Sequence, residues 1–139
     1  MTDPEDIFAG IMFGVTGLAI PSAVAAHHFF GIDVMAFANL GLSRHVFGWS
    51  FAVMAAAVAG LNIYLSLIAP WRYKRETGST QGYRSMSGLP AIGGFFVLFA
   101  AALIPASPIV GASLLLIYIA DTGGLPWFFV STVLLPLRD

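Results

Sequence analysis

Asp121 is the one ionisable acid or base set inside a long apolar stretch of this sequence, the run from Ile109 to Leu135. A carboxyl in such surroundings is costly, so it must be protonated, paired, or turned toward other polar groups. The chemistry open to it is a proton relay, a cation site, or a contact with a basic residue of a partner subunit. The structural alternative is that Asp121 and Thr122 cap backbone groups freed by the break at Gly123-Gly124-Leu125-Pro126. Asn62 and Ser50 stand in another apolar stretch and read as donors of hydrogen bonds between helices.

His27, His28 and His45 form the second group with chemical potential. Neutral imidazoles ligate haem iron and divalent metals. Adjacent residues on a helix point about 100° apart, so His27 and His28 cannot both face one ion while the helix continues. One of them with His45 could bracket a haem, or with Asp33 could hold a divalent ion. The usual metal spacing of three or four residues on one helix is missing, so no cofactor is expected, and haem or metal stands as the alternative. Cysteine is absent, which excludes disulfides, thiolate metal sites and cysteine nucleophiles. No nucleophile–base–acid set, catalytic carboxylate pair or dinucleotide fingerprint occurs. The segment 78–82 lacks the lysine and preceding strand of a phosphate cradle. Catalysis is therefore not expected.

The elements that must position these residues follow from composition. The 139 residues are 58% hydrophobic and only 9% charged, where a soluble domain carries roughly a quarter charged residues. The charges gather at seams: Asp3, Glu5 and Asp6 at the start, Asp33 and Arg44 in one short stretch, and Arg72 to Arg84 in another. Charges at the seams and almost none between them describe bilayer-spanning helices. A net charge of −1 gives no reason to expect nucleic acid.

The expected fold is all-α, one integral membrane domain over 1–139, a polytopic bundle of about four transmembrane helices at about 7–26, 46–70, 90–104 and 109–135. Acidic residues before the first segment, where a signal peptide would be basic, mark it as a retained helix. Residues 27–45 form an outer connector with an interfacial helix around Val34–Leu42, and 71–89 a hydrophilic loop. Pro90 suits a first helical turn, and Pro105 to Pro108 a tight turn. The last segment is kinked or broken near Gly123–Pro126, with one kinked crossing expected rather than two half-helices.

Four of the six basic residues lie in 71–89, which places that loop and both termini in the cytoplasm of a bacterial inner membrane. Small residues at helical spacing mark packing faces: Gly10, Gly14 and Gly17 on the first helix, and Ala52, Ala56 and Gly60 on the second, with Ala55 and Ala59 beside them. The expected partners are the lipid bilayer and other membrane subunits, or a second copy. The function expected from all this is non-catalytic: an accessory or assembly subunit of a larger membrane complex. A stand-alone interaction protein of the immunity type, and a haem-, metal- or proton-handling subunit, are the two alternatives.

Overall fold

A computed structural model describes residues 4–32, 41–84, 89, 91–124 and 126–127, and all of the regular structure among them is helical. The elements are α1 (Pro4–His28), α2 (Gly41–Ile63), a π-helical turn (Tyr64–Ile68), α3 (Ala69–Thr77), α4 (Ile92–Leu103) and α5 (Pro108–Ala120). α4 packs against α1, α2 and α5, and α5 in turn against α1 and α2. The α4–α5 hairpin thus forms the centre, flanked by the two longer helices.

The composition of α4 explains its place. Its buried residues are Gly93, Gly94, Val97, Ala100, Ala101, Ala102 and Leu103. Such small side chains let three neighbouring backbones come close, and only the stripe Ile92, Phe95 and Phe99 is left facing outward. Val97 and Ala100 meet Ala52 and Ala55 of α2, Ile20 and Val24 of α1, and Leu114 and Tyr118 of α5 in one core.

The inner face of α2 differs from the expected stripe. Gly48, Ala52, Ala55, Ala59 and Asn62 are buried, whereas Ala56 and Gly60 are exposed. The reason is geometric: a strict step of four residues drifts about 40° each time, while alternating steps of four and three stay on one face. On α1, Gly14 and Gly17 are half-buried, and Gly10 lies in the part of the helix whose packing is outside the description.

Other boundaries shift for local reasons. α2, the π turn and α3 form one continuous helical run, so the first seven residues of the expected 71–89 loop are helical. Arg72 and Glu76 stabilise that last stretch as an i,i+4 pair at 3.8 Å. Arg75 lies over the Trp71 ring at 5.4 Å, and Gly78 ends the helix with a left-handed φ of 77°. The π turn ends two residues before Pro70 and contains Ser66, whose carbonyl the proline ring would strike in a regular helix; widening the helix absorbs that clash. α1 runs to His28, so both of the paired histidines are helical. α4 starts at Ile92, with Ala91 held at a positive φ of 66° before it. α5 starts at Pro108 and stops at Ala120, followed by a turn through Thr122–Gly124. Asp33, Pro90 and most of Val34–Leu42 are outside the described residues, as is the chain beyond Trp127; Gly41 and Leu42 open α2 rather than close an interfacial helix.

Among the described residues one helical run, Ser43–Thr77, is long and apolar enough to cross a membrane. The 12 residues of α4 and 13 of α5 reach only about 18–20 Å, short of a hydrocarbon core of about 30 Å. Four complete crossings are therefore a finer statement than these helices make.

Two glycines of α2 give a direct check. A Cβ on Gly48 would meet Ile104 Cγ1 at 2.8 Å and the Ile104 backbone nitrogen at 3.1 Å, whereas one on Gly60 meets nothing within 4 Å. Gly48→Ala should cost about 1–3 kcal/mol by overpacking, and Gly60→Ala should stabilise by up to about 1 kcal/mol by removing backbone entropy. Denaturant titration in detergent micelles separates the two.

Candidate functional site

The sequence positions that carry chemistry gather at the two ends of the α4–α5 hairpin. At the far end, Asn62 and Asp121 meet although 59 residues separate them: Asn62 Nδ2 donates to Asp121 Oδ1 at 2.5 Å. Asn62 is 0% and Asp121 1% exposed. Asn62 also grips the backbone before α4, since its Oδ1 accepts from the Leu89 amide at 3.0 Å and its Nδ2 donates to the Leu89 carbonyl at 3.4 Å. One side chain thus ties together the inner face of α2, the approach to α4, and the break after α5.

The break comes from Asp121 itself. α5 ends there with ψ 85°, outside the helical range, and the Gly124 amide donates to the Asp121 carbonyl at 2.8 Å to close a turn. Irregular backbone at depth is tolerated only where protein surrounds it, and three glycines let the protein close in. A Cβ on Gly93 would collide with Asp121 Oδ2; one on Gly124 would lie 2.8 Å from the same oxygen, and one on Gly123 would lie 2.6 Å from Asn62 Nδ2. Asp121 Oδ2 and Thr122 Oγ1 are buried with no hydrogen-bond partner among the described residues. With Oδ2 pressed against glycine backbone, the carboxyl has no open space beside it for an ion on those two sides.

A second polar contact crosses the bundle close by. Pro21 has no N–H, which leaves the Gly17 carbonyl of α1 without its helical donor. Tyr118 Oη of α5 supplies the missing bond at 2.7 Å. The sequence signal for this bond is the proline inside α1, which leaves an acceptor that needs a donor.

At the near end, the last carbonyls of α4 have no partners within their own helix. Arg44 donates from Nη2 to the Ala102 carbonyl at 2.9 Å and from Nε to that of Leu103 at 3.2 Å. His27 places Nε2 2.9 Å from the Ile104 carbonyl and Nδ1 3.0 Å from that of Ile32. His28 accepts at Nδ1 from the Ser107 amide at 3.1 Å. The two rings meet edge to face, 4.8 Å apart, and Gly111 of α5 passes so close that a Cβ there would lie 2.6 Å from His28 Cβ.

This geometry bears on the haem or metal alternative. A ligand nitrogen needs a free lone pair. Both His27 nitrogens face backbone carbonyls, and the Nδ1 lone pair of His28 is taken by Ser107, which puts the proton on Nε2. His45 is exposed on α2 beside Val46, Trp49 and Ser50. Among the described residues no three His, Asp or Glu side chains group around a point.

Asn62→Ala and Asp121→Ala should each cost about 1–3 kcal/mol, because each leaves a buried polar group without its partner. The double variant should lose less than the sum, by a coupling of about 0.5–3 kcal/mol. Unfolding of the four proteins in one detergent measures it, and strict additivity would mean the contact contributes nothing.

Comparison with protein-family models, curated proteins and solved structures finds no match to this chain.

Proposed function

We propose that this chain is an integral membrane protein acting as a non-catalytic accessory subunit, through its helix faces, on another integral membrane protein. The observation that carries the reading is the division of its side chains. His27, His28, Asn62, Tyr118 and Asp121 are turned inward and make hydrogen bonds between parts of the bundle, while His45 is exposed. The outward faces are large and apolar on every long helix: Val15 and Leu18 on α1, Phe47, Val53 and Leu67 along the α2 run, Phe95 and Phe99 on α4, Ile109 and Leu116 on α5. The core helix of a soluble protein hides its apolar surface, but only 22% of the most apolar part of Ser43–Thr77 is buried.

Depth along that helix fits a bilayer. Arg44 and Trp71 are 27 positions apart, about 40 Å along the axis, close to the full thickness of a bilayer with its headgroups. Trp71, Arg72, Lys74 and Arg75 then occupy the cytoplasmic interface, with Trp49 toward the opposite one. Asn62 falls about 14 Å inside Trp71, within the hydrocarbon, where an internal clamp for broken helices is needed.

Within this reading, Ala56 and Gly60 have a use that packing inside the chain does not supply. They lie on the exposed side of α2, one turn apart, where a partner helix can approach closely.

Washing membranes at alkaline pH should leave the chain in the pellet. Gentle detergent extraction followed by mass spectrometry should then recover a second integral membrane protein at fixed stoichiometry. Gly60→Leu should release that protein without lowering the stability of the chain itself. Recovery of a stable monomer with no membrane protein bound would remove the accessory reading.

A further inference from the structure

None of the residues of α3 is buried, although the helix continues the apolar Ser43–Thr77 run. Its side chains are sorted by face. At about 100° per residue, Arg72, Lys74 and Arg75 fall within an arc of about 160°, and Tyr73 and Thr77 lie on the opposite side. The chain that follows folds back over that opposite side. The Tyr73 and Tyr83 rings lie 5.3 Å apart, Tyr73 Oη donates to the Gln81 carbonyl at 3.4 Å, and Thr77 Oγ1 lies 2.8 Å from the Ser79 carbonyl. The loop covers the Tyr73 side and leaves the basic side open.

Two contacts set the level of the cations along the helix. The Arg75 guanidinium lies over the Trp71 ring at 5.4 Å. Its charge is thereby drawn back one turn, about 6 Å, toward α2 rather than out into water. Tyr83, set against Tyr73, returns the chain to a level about 6 Å short of Thr77, and Arg84 follows directly. The cations thus stand at the depth of Trp71 and Tyr73, where amphipathic rings meet headgroups. Glu76, the one carboxylate of α3, lies 3.8 Å from Arg72. No carboxylate among the described residues pairs with Lys74, Arg75 or Arg84.

We propose that the open side of α3, together with Arg84, is a site for the phosphate headgroups of anionic phospholipids in the surrounding bilayer. This rests on the chain spanning a membrane and not on its accessory role. Guanidinium forks and an ammonium match phosphate oxygens. A zwitterionic headgroup brings an ammonium of its own, which needs a carboxylate or a free aromatic face. Glu76 is engaged by Arg72, and Arg75 already covers a face of Trp71. An anionic lipid leaves no such group unmet, and its phosphate sits at the level to which the cations are drawn back.

Quenching of tryptophan fluorescence by brominated lipids measures this directly. With Trp49→Phe and Trp127→Phe, Trp71 is the remaining reporter. The protein is reconstituted in phosphatidylcholine bilayers, with phosphatidylcholine or phosphatidylglycerol as the brominated component. Phosphatidylglycerol should be preferred beside Trp71 by about fivefold or more, the worth of at least one cation near an anionic surface. Lys74→Gln combined with Arg75→Gln should bring the preference close to one, and Arg84→Gln should lower it. Salt of about 1 M, which screens charges beyond about 3 Å, should do the same to the unaltered cations. Equal quenching by the two lipids at low salt overturns the site and leaves the membrane reading standing. Absence of quenching by either lipid overturns both. A preference that survives Lys74→Gln with Arg75→Gln also overturns the site, because the selectivity then lies elsewhere. The salt dependence of the protein with its cations intact decides the matter even if the substituted forms do not fold.

Discussion

The carboxamide of Asn62 holds together three pieces of chain: the inner face of α2, the approach to α4 and the break after α5. Its oxygen and nitrogen take both backbone groups of Leu89, and its nitrogen also reaches the Asp121 carboxyl. Everything at that end of the bundle depends on this. α4 begins only after Ala91 adopts a left-handed conformation, a conformation that costs an alanine roughly 1–2 kcal/mol. α5 must end at Asp121 and turn back on itself through two glycines. Neither event is favourable alone in an apolar setting, and the clamp allows both by supplying the hydrogen bonds that water supplies elsewhere.

The opposite end is closed on a different principle. There the need is to satisfy the free carbonyls of α4, and side chains from two other helices do so, Arg44 from α2 and His27 from α1. Between the two ends the helices are held by small residues and close approach, and Gly48 against Ile104 and Gly111 against His28 continue that close fit toward the α4–α5 turn. The core between them is apolar and narrow. Polar ties at both ends therefore set the register in which α4 and α5 slide against their neighbours, which close-packed small residues alone specify weakly.

Much of this was legible in the sequence, within limits set by range. A lone acid followed by Thr-Gly-Gly-Leu-Pro marks a helix break and a buried polar group; α5 ends at Ala120 and Asp121 is buried. Asn62 stands out for the same reason. What the sequence did not give is that the two meet, because a contact across 59 residues leaves no local trace. On α2 the buried face runs through Ala52, Ala55 and Ala59 and leaves Ala56 and Gly60 outside, since several alanines in a row offer more than one consistent face. The helical extension through Thr77 was hidden by its polarity, which reads as loop when hydropathy is the guide. Arg44, Leu89, Gly93 and Tyr118 carry the remaining contacts and were not chosen, although Pro21 had left a carbonyl that some donor had to meet.

The close fit of Gly93 against Asp121 offers the most direct measurement of whether the clamp has this geometry. Gly93→Ala puts a methyl group where the Asp121 carboxyl lies, and nothing else in the clamp is altered. Unfolding in detergent should show Gly93→Ala to be destabilised by about 1–3 kcal/mol. Combined with Asp121→Ala, which vacates the space, Gly93→Ala should add little or no further loss. If it instead costs as much in the Asp121→Ala background as in the unaltered protein, the carboxyl does not occupy that position and the clamp as described is wrong.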